Sequence, residues 1–328
     1  MSASFASALS AARDAAATQH YPQGTLYVVA TPIGNLADIT LRALHVLQLA
    51  DAIACEDTRH TQSLLRAYGI DKSGAQLLAV HQHNEAEAAG NVVDRLRQGQ
   101  RVAYVSDAGT PGVSDPGARL ASAVAAAGLR CLPLPGASSV TTALSVAGAV
   151  AHGPDAGGFL FAGFLPTRGA ERTAAVQRLG DEPRCVVLLE APHRIEELAR
   201  ALAVLGERPV TLARELTKQF EEISTHPAQA LSAWLDGNPQ RARGEFVVLL
   251  HPLPPAAADD DAQGRRVLQL LLPELPLKTA VRIAADITGN ARNALYPLAL
   301  ALKREMDEGE DEDTDSAADD GGDESHRR

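Results

Sequence analysis

The sequence predicts an α/β protein: two α/β domains with mainly parallel sheets, followed by a small helical module. Three observations carry this. Short apolar runs rich in β-branched residues alternate with stretches of helical periodicity, the pattern of a parallel sheet. Glycine- and proline-rich loops follow several of those runs directly. The pattern then repeats after a Leu132-Pro133-Leu134-Pro135-Gly136 boundary.

Residues 26–30, LYVVA, form a buried strand and stop at the turn-rich Thr31-Pro32-Ile33-Gly34-Asn35. Residues 38–49 place Ile39, Leu41, Leu44 and Leu47 at helical spacing. ADAIACE, 50–56, is a second strand, and TQSLLRAYG is a helix closed by Gly69. LLAVH, 77–81, is strand-like, and the helix over 84–98 starts at Asn84, a good N-cap residue. RVAYVS, 101–106, runs into VSDAGTPGVSDPG, and a helix over 117–127 ends at Gly128. The second half reads as helix 138–148, strand 159–164, a basic helix 169–179, strand 184–190, helix 194–205, strand 209–215, helix 227–235 and strand 244–251. The domains are thus 24–134 and 135–251, with a linker at 252–263, a helical module at 264–304, a flexible leader at 1–23 and a disordered acidic tail at 305–328.

Composition narrows the function. The chain has 328 residues, 45 % hydrophobic and 22 % charged, enough for a sizeable core. No stretch approaches the ~20 apolar residues of a membrane span, and the N-terminus has no basic segment followed by an apolar one, so it does not read as a signal peptide. Three cysteines far apart, Cys55, Cys131 and Cys185, form neither a disulfide framework nor a zinc pattern, and the cytoplasm is the simplest home. The net charge of −11 looks wrong for a nucleic-acid partner, but residues 305–328 hold twelve acids against two arginines. The rest of the chain is close to neutral.

In an open parallel sheet, ligands sit beyond the carboxyl ends of the strands. The loops 31–35 and 106–117 fall there, with a third at Pro135-Gly136-Ala137-Ser138-Ser139. Glycine lets backbone approach a ligand and proline stiffens the loop, so these loops suit a small molecule gripped through main-chain groups. The phosphate-binding GxxxxGK[ST], the dinucleotide GxGxxG and the hydrolase GxSxG are all absent. His81-Gln82-His83-Asn84-Glu85 offers two histidines on one strand face but no third ligand, so no metal is expected.

LYVVATPIGNLADITLRALHVLQLADAIACEDTRHT, HQHNE, VSDAGTPGVSDPG, PLPGASSVTTALSVAG, FAGFLP, APHR, LARELTKQFEE, GEFVVLL and ELPLKTAVRIAADITGNARNALY run in order from about residue 24 to 302. Together they resemble the tetrapyrrole-methylase-like (class III) methyltransferases, in the RsmI-type branch that methylates 16S rRNA at a cytidine 2′-oxygen. Ala137-Ser138-Ser139 stands where relatives vary, APHR replaces a Ser-Thr variant, and the leader and tail lie outside the shared region. The resemblance implies S-adenosylmethionine in a cleft between the two α/β domains, a cytidine ribose of the decoding centre in 16S rRNA or the 30S subunit as acceptor, and a homodimer. It places Pro32, Gly109, Thr110, Pro111, Val113, Ser114, Ser138 and Ser139 in the cofactor loops, with Leu189, Ala213 and Gly244 across from them.

Methyl transfer to a hydroxyl needs the acceptor oxygen aligned and its proton removed. The base candidates are Glu56, Asp57, His81 and Asp107, all at strand ends; a carboxylate of Glu56-Asp57-Thr58-Arg59-His60 is favoured, although Asp57 and Arg59 are equally suited to a loop-shaping ion pair. RNA phosphates would be held by Arg59, His81, Arg194, Arg214 and Lys218, with Arg168, Arg172 and His193 nearby. AVRIAADITGNARNALY reads as helix, glycine turn, helix, and brings Lys278, Arg282 and Arg292 either to an rRNA docking surface or to a helical cap. A tetrapyrrole C-methyltransferase and a non-catalytic ribosome-assembly factor of the same fold are the alternatives.

Overall fold

The computed structural model describes residues 5–81, 84–107, 109–150, 157–253 and 260–315. The chain forms two compact units, Met1–Leu253 and Pro254–Arg328.

The first unit holds two five-stranded sheets. Helix α1 (Ala6–Ala16) precedes β1 (Thr25–Val29), α2 (Leu41–Leu49), β2 (Ala52–Cys55), α3 (Thr58–Ala67), β3 (Leu77–Ala79), α4 (Glu85–Arg97), β4 (Arg101–Val105), α5 (Gly117–Ala126) and β5 (Arg130–Leu134). The strand order is β3-β2-β4-β1-β5, and every pairing is parallel. The two-residue period of a strand sorts the core. Tyr27, Val29, Ile53, Cys55, Ala103 and Val105 pack under α1–α3. Leu26, Ala52, Ala54, Val102 and Tyr104 pack under α4 and α5. Pro133 sits in β5, an edge strand where a missing N–H is tolerated.

The second sheet follows α6 (Ser139–Val146): β6 (Phe159–Phe164), α7 (Gly169–Gly180), β7 (Cys185–Glu190), α8 (Ile195–Leu202), β8 (Pro209–Arg214), β9 (Glu222–Pro227), α9 (Leu231–Asp236) and β10 (Phe246–Leu250). Its order is β6-β7-β10-β8-β9. Only β6 and β7 pair parallel; β10 runs antiparallel to β7 and β8, and β9 antiparallel to β8. The expected mainly parallel sheet is therefore correct for the first half and wrong for the second. The seven residues Glu215–Glu221 between β8 and β9 are too few for a parallel crossover, which takes about a dozen. Residues 222–227 were also missed as a strand, because β9 is a polar, half-exposed edge. Helices α7–α9 cover one face of this sheet. Val140 and Ala143 of α6 cover the other.

The leader expected to be flexible contains α1, an alanine-rich segment with high helix propensity. Ala12 and Ala16 are buried, and the Phe5 ring meets Tyr68 edge-on at 5.1 Å.

The second unit is a three-helix module: α10 (Asp260–Leu271), α11 (Leu277–Thr288) and α12 (Arg292–Asp315). Leu268, Ala280, Val281, Ala284, Leu295, Ala299 and Leu302 form its core. Gly289, at φ +78°, ends α11 in the left-handed conformation that favours glycine. Helix α12 extends to Asp315, so the first part of the tail expected to be disordered is helical; residues 316–328 lie outside the described residues.

Candidate active site

The three glycine- and proline-rich loops leave the carboxyl ends of β1, β4 and β5, adjacent strands in the first sheet. Hydrogen bonds tie them into one floor. The buried Thr31 hydroxyl donates to the Ser106 carbonyl at 2.8 Å, and the Thr31 N–H to the Gly109 carbonyl at 3.2 Å. The Thr110 hydroxyl donates to the Ala137 carbonyl at 2.9 Å, joining the second loop to the third. Gly109 sits where the loops converge, at φ +98°; a Cβ there would lie 2.7 Å from Ile33 Cγ2 and 2.9 Å from the Ala137 oxygen. Asp115 organises the rest of the second loop. Its Oδ1 accepts from Tyr104 Oη at 3.0 Å and the Gly117 N–H at 2.7 Å, and its Oδ2 from the Gly112 N–H at 2.8 Å.

This floor faces the second sheet across a cleft with two lobes, of about 290 and 240 Å³. Asp107, Ser139, Phe164 and Leu189 line both. The smaller lobe adds Glu56, Thr110, Val113, Ser114 and Ser138; the larger adds Ile33, Glu190, Ala213 and Glu245 among others. Jointly the lobes fall within the ~300–1,000 Å³ of ordinary small-molecule sites.

Most expected cofactor residues meet here: Thr110, Val113, Ser114, Ser138, Ser139, Leu189 and Ala213 line the cleft. Pro32, Gly109, Pro111 and Gly244 are not on its wall. Gly244, at φ +94°, packs directly on Glu215. Sequence reasoning missed Ile33, Phe164, Glu190 and Leu216. Their signal was position, since each stands at or just beyond the end of a strand or in the loop after one. Phe164 is 51 % exposed, a large ring left uncovered at the mouth of both lobes.

The carboxylates separate sharply. Burial, helped by the Asp115 and Asp107 charges, pushes Glu56 up to about 7. Burial also raises Asp107, against the opposing pull of His60. Asp107 Oδ1 and Glu190 Oε2 are buried without a hydrogen-bond partner among the described residues. Asp57 is different: its Oδ1 accepts from the Arg59 N–H at 2.7 Å and the His60 N–H at 3.3 Å, capping α3. Those two N–H groups hold it below the usual carboxylate range. Asp57 is therefore a helix cap, and its 3.7 Å approach to Arg59 is an exposed contact. His81 lies exposed before α4, its N–H donating to Asn84 Oδ1 at 2.9 Å; His83 is outside the described residues. Cys55 is buried beneath the floor with its thiol pushed up to about 11, which removes it as a nucleophile.

Three cations expected to meet RNA are built into the fold instead. Arg194 pairs with the buried Glu190 at 3.0 Å and donates to the Leu165 carbonyl. Arg214 donates to the Arg243 and Phe220 carbonyls and pairs with Glu222 at 3.3 Å. Lys218 is held between Glu215 and Glu245, 2.8 Å from each. Arg59 remains 93 % exposed. In the second unit, Lys278 is exposed, whereas Arg282 and Arg292 share Asp286 at 3.7 and 3.3 Å.

The family model "Tetrapyrrole (Corrin/Porphyrin) Methylases" matches residues 25–232. The chain belongs to the tetrapyrrole methylase family. A second model, "RsmI C-terminal HTH domain", matches residues 258–303, the helical module. The chain is 46 % identical over 280 residues to the ribosomal RNA small subunit methyltransferase I of Escherichia coli O157:H7, covering 85 % of this chain and 95 % of that one. It is likewise 46 % identical over 281 residues to the protein of that name from Pseudomonas aeruginosa, covering 84 % and 97 %. Among solved structures, diphthine synthase shares the fold at a TM-score of 0.52 and 15 % identity, covering 69 % of this chain and 90 % of that one. In this tetrapyrrole methylase the two-lobed cleft, with its floor of three loops, is the candidate site.

Proposed function

We propose that the protein is an S-adenosylmethionine-dependent methyltransferase that methylates a cytidine 2′-hydroxyl of 16S rRNA in the decoding centre of the small ribosomal subunit. The observation that carries the reading is the extent of the likeness. Identity of 46 % to the small-subunit rRNA enzymes spans 85 % of the chain, and the helical module matches a domain model of their type. The fold likeness to diphthine synthase reaches only 69 % of it.

The cleft fits the methyl donor chemically. S-adenosylmethionine carries a sulfonium and an ammonium, and the larger lobe is lined by three acidic residues, Asp107, Glu190 and Glu245, which suit a cationic ligand. Gly109 and Gly136 let the loops that form the floor close on one another: a Cβ at Gly136 would come within 2.9 Å of Ala30 Cβ. Thr110, Ser138 and Ser139 add hydroxyls to the wall. When bound, the donor supplies a methyl group already activated as an electrophile.

The chain's own residues supply alignment and proton removal. Phe164 gives an uncovered aromatic surface on which a base can stack. Glu56 accepts the proton of the ribose hydroxyl; a base near neutrality combines a useful ionised fraction with basic strength. Arg59, and Lys278 on the second unit, supply phosphate contacts. The protein acts as a homodimer in the cytoplasm; among the described residues no helix is long and apolar enough to cross a membrane.

Labelled methyl transfer to 30S subunits lacking the modification, run beside a tetrapyrrole acceptor, tests the reading. Transfer to 30S alone is expected. Transfer to the tetrapyrrole alone would replace it, and donor binding without transfer to either would leave a non-catalytic factor.

A further inference from the structure

A groove of about 1270 Å³ lies on the other side of two cleft loops. Ile33 and Leu216 line the cleft, and their neighbours Gly34 and Thr217 line the groove. The partition between them is one tight contact. The Asn35 N–H donates to Thr217 Oγ1 at 3.1 Å, and Gly34 packs so closely on Lys218 that a Cβ would lie 2.5 Å from its Cγ. The groove and the cleft are thus neighbours across these two loops.

The groove is cationic in a chain that is otherwise neutral or acidic. Its lining includes Arg13, Arg66 and Lys218 and no carboxylate residue. Lys218 is already neutralised by Glu215 and Glu245. Arg13 and Arg66 are exposed, and their side chains make no hydrogen bond or ion pair among the described residues. Sixteen other arginines appear in ion pairs or side-chain hydrogen bonds among the described residues, the buried Arg172 and Arg208 among them. Arg13 comes from α1, upstream of the family match that begins at residue 25. Helix α1 packs with α2 through Ala8, Leu9 and Ala12, which fixes Arg13 on the groove wall.

We infer that this groove holds the phosphodiester backbone of the RNA strand flanking the nucleotide in the cleft, with Arg13 and Arg66 as its phosphate contacts and α1 as an added part of the RNA-binding surface. The inference rests on the reading of rRNA as substrate. Phosphate contacts fix register and orientation without reading sequence. Each one also contributes to the salt dependence of binding, through release of condensed counterions.

The test uses the full chain, wild type and Arg13→Gln/Arg66→Gln, with undermethylated 30S subunits and protein-free 16S rRNA as probes. Thermal unfolding and S-adenosylmethionine calorimetry establish that the variant is folded and binds the donor. The expected result is a KM for 30S raised about tenfold at unchanged kcat, and a log–log salt slope for rRNA binding shallower by about 2, one for each lost phosphate contact. A wild type that methylates 30S beside a variant with the same KM and the same slope overturns the inference and leaves the proposed function standing. A variant defective on 30S but binding protein-free 16S rRNA as wild type does would place a ribosomal protein in the groove, which also overturns it. A wild type that methylates no RNA removes the proposed function and this inference with it.

Discussion

Glu56 follows β2 directly and lines the cleft, and Asp57, one residue on, turns back to cap α3. Both were legible in the sequence as acids at a strand end. Their division of labour was not, because it depends on which carboxylate the N–H groups of the next helix capture. The split yields two predictions. Glu56→Gln removes the base, and kcat falls by about 100-fold or more with donor affinity little changed. In the wild type the rate climbs as pH rises and levels off above about 7, and this limb is missing in the variant. The stability sign is opposite. Glu56 holds its proton more tightly folded than unfolded, so ionising it between its ordinary value of 4.5 and about 7 destabilises the fold. Glu56→Gln should therefore melt at a higher temperature than wild type at pH 8 and match it near pH 4. Asp57→Ala instead loses a cap and lowers the midpoint of urea unfolding, which Asp57→Asn largely restores.

At the scale of elements, the first sheet was readable because its buried parallel strands are continuous apolar runs separated by helices. The second sheet was less so. Its strand β9, EISTHP, is a polar edge, and the short β8–β9 connection outweighs the alternating pattern that suggested parallel pairing. Helix α1 was hidden by its alanines, which look like a leader until Tyr68 and α2 give them a surface to bury against. The loops were legible as ligand loops, but not the hydrogen bonds that merge three of them into one floor. Gly109→Ala tests that floor. Positive φ and the 2.7 Å contact with Ile33 oppose the new methyl, so donor binding by calorimetry should weaken by at least about tenfold, a loss of ~1.4 kcal/mol. Gly128→Ala, also at positive φ but with open space around it, is the control: some stability is lost and donor binding is kept.

Over the whole molecule, charge was the least legible property. Counting Lys and Arg near loops selected Arg194, Arg214 and Lys218, which the fold consumes in ion pairs. It passed over Arg13 and Arg66, which lie in segments read as leader and ordinary helix. Burial and pairing decide which cations are free to meet a phosphate, and neither is visible in composition. The most direct test of the proposed function is nucleoside mass spectrometry of 16S rRNA after wild-type protein and S-adenosylmethionine have acted on 30S subunits lacking the modification. One new 2′-O-methylcytidine per subunit, mapped to the decoding centre, is expected. A methyl group on a base carbon or nitrogen, or unmodified rRNA from protein that binds the donor normally, would contradict it.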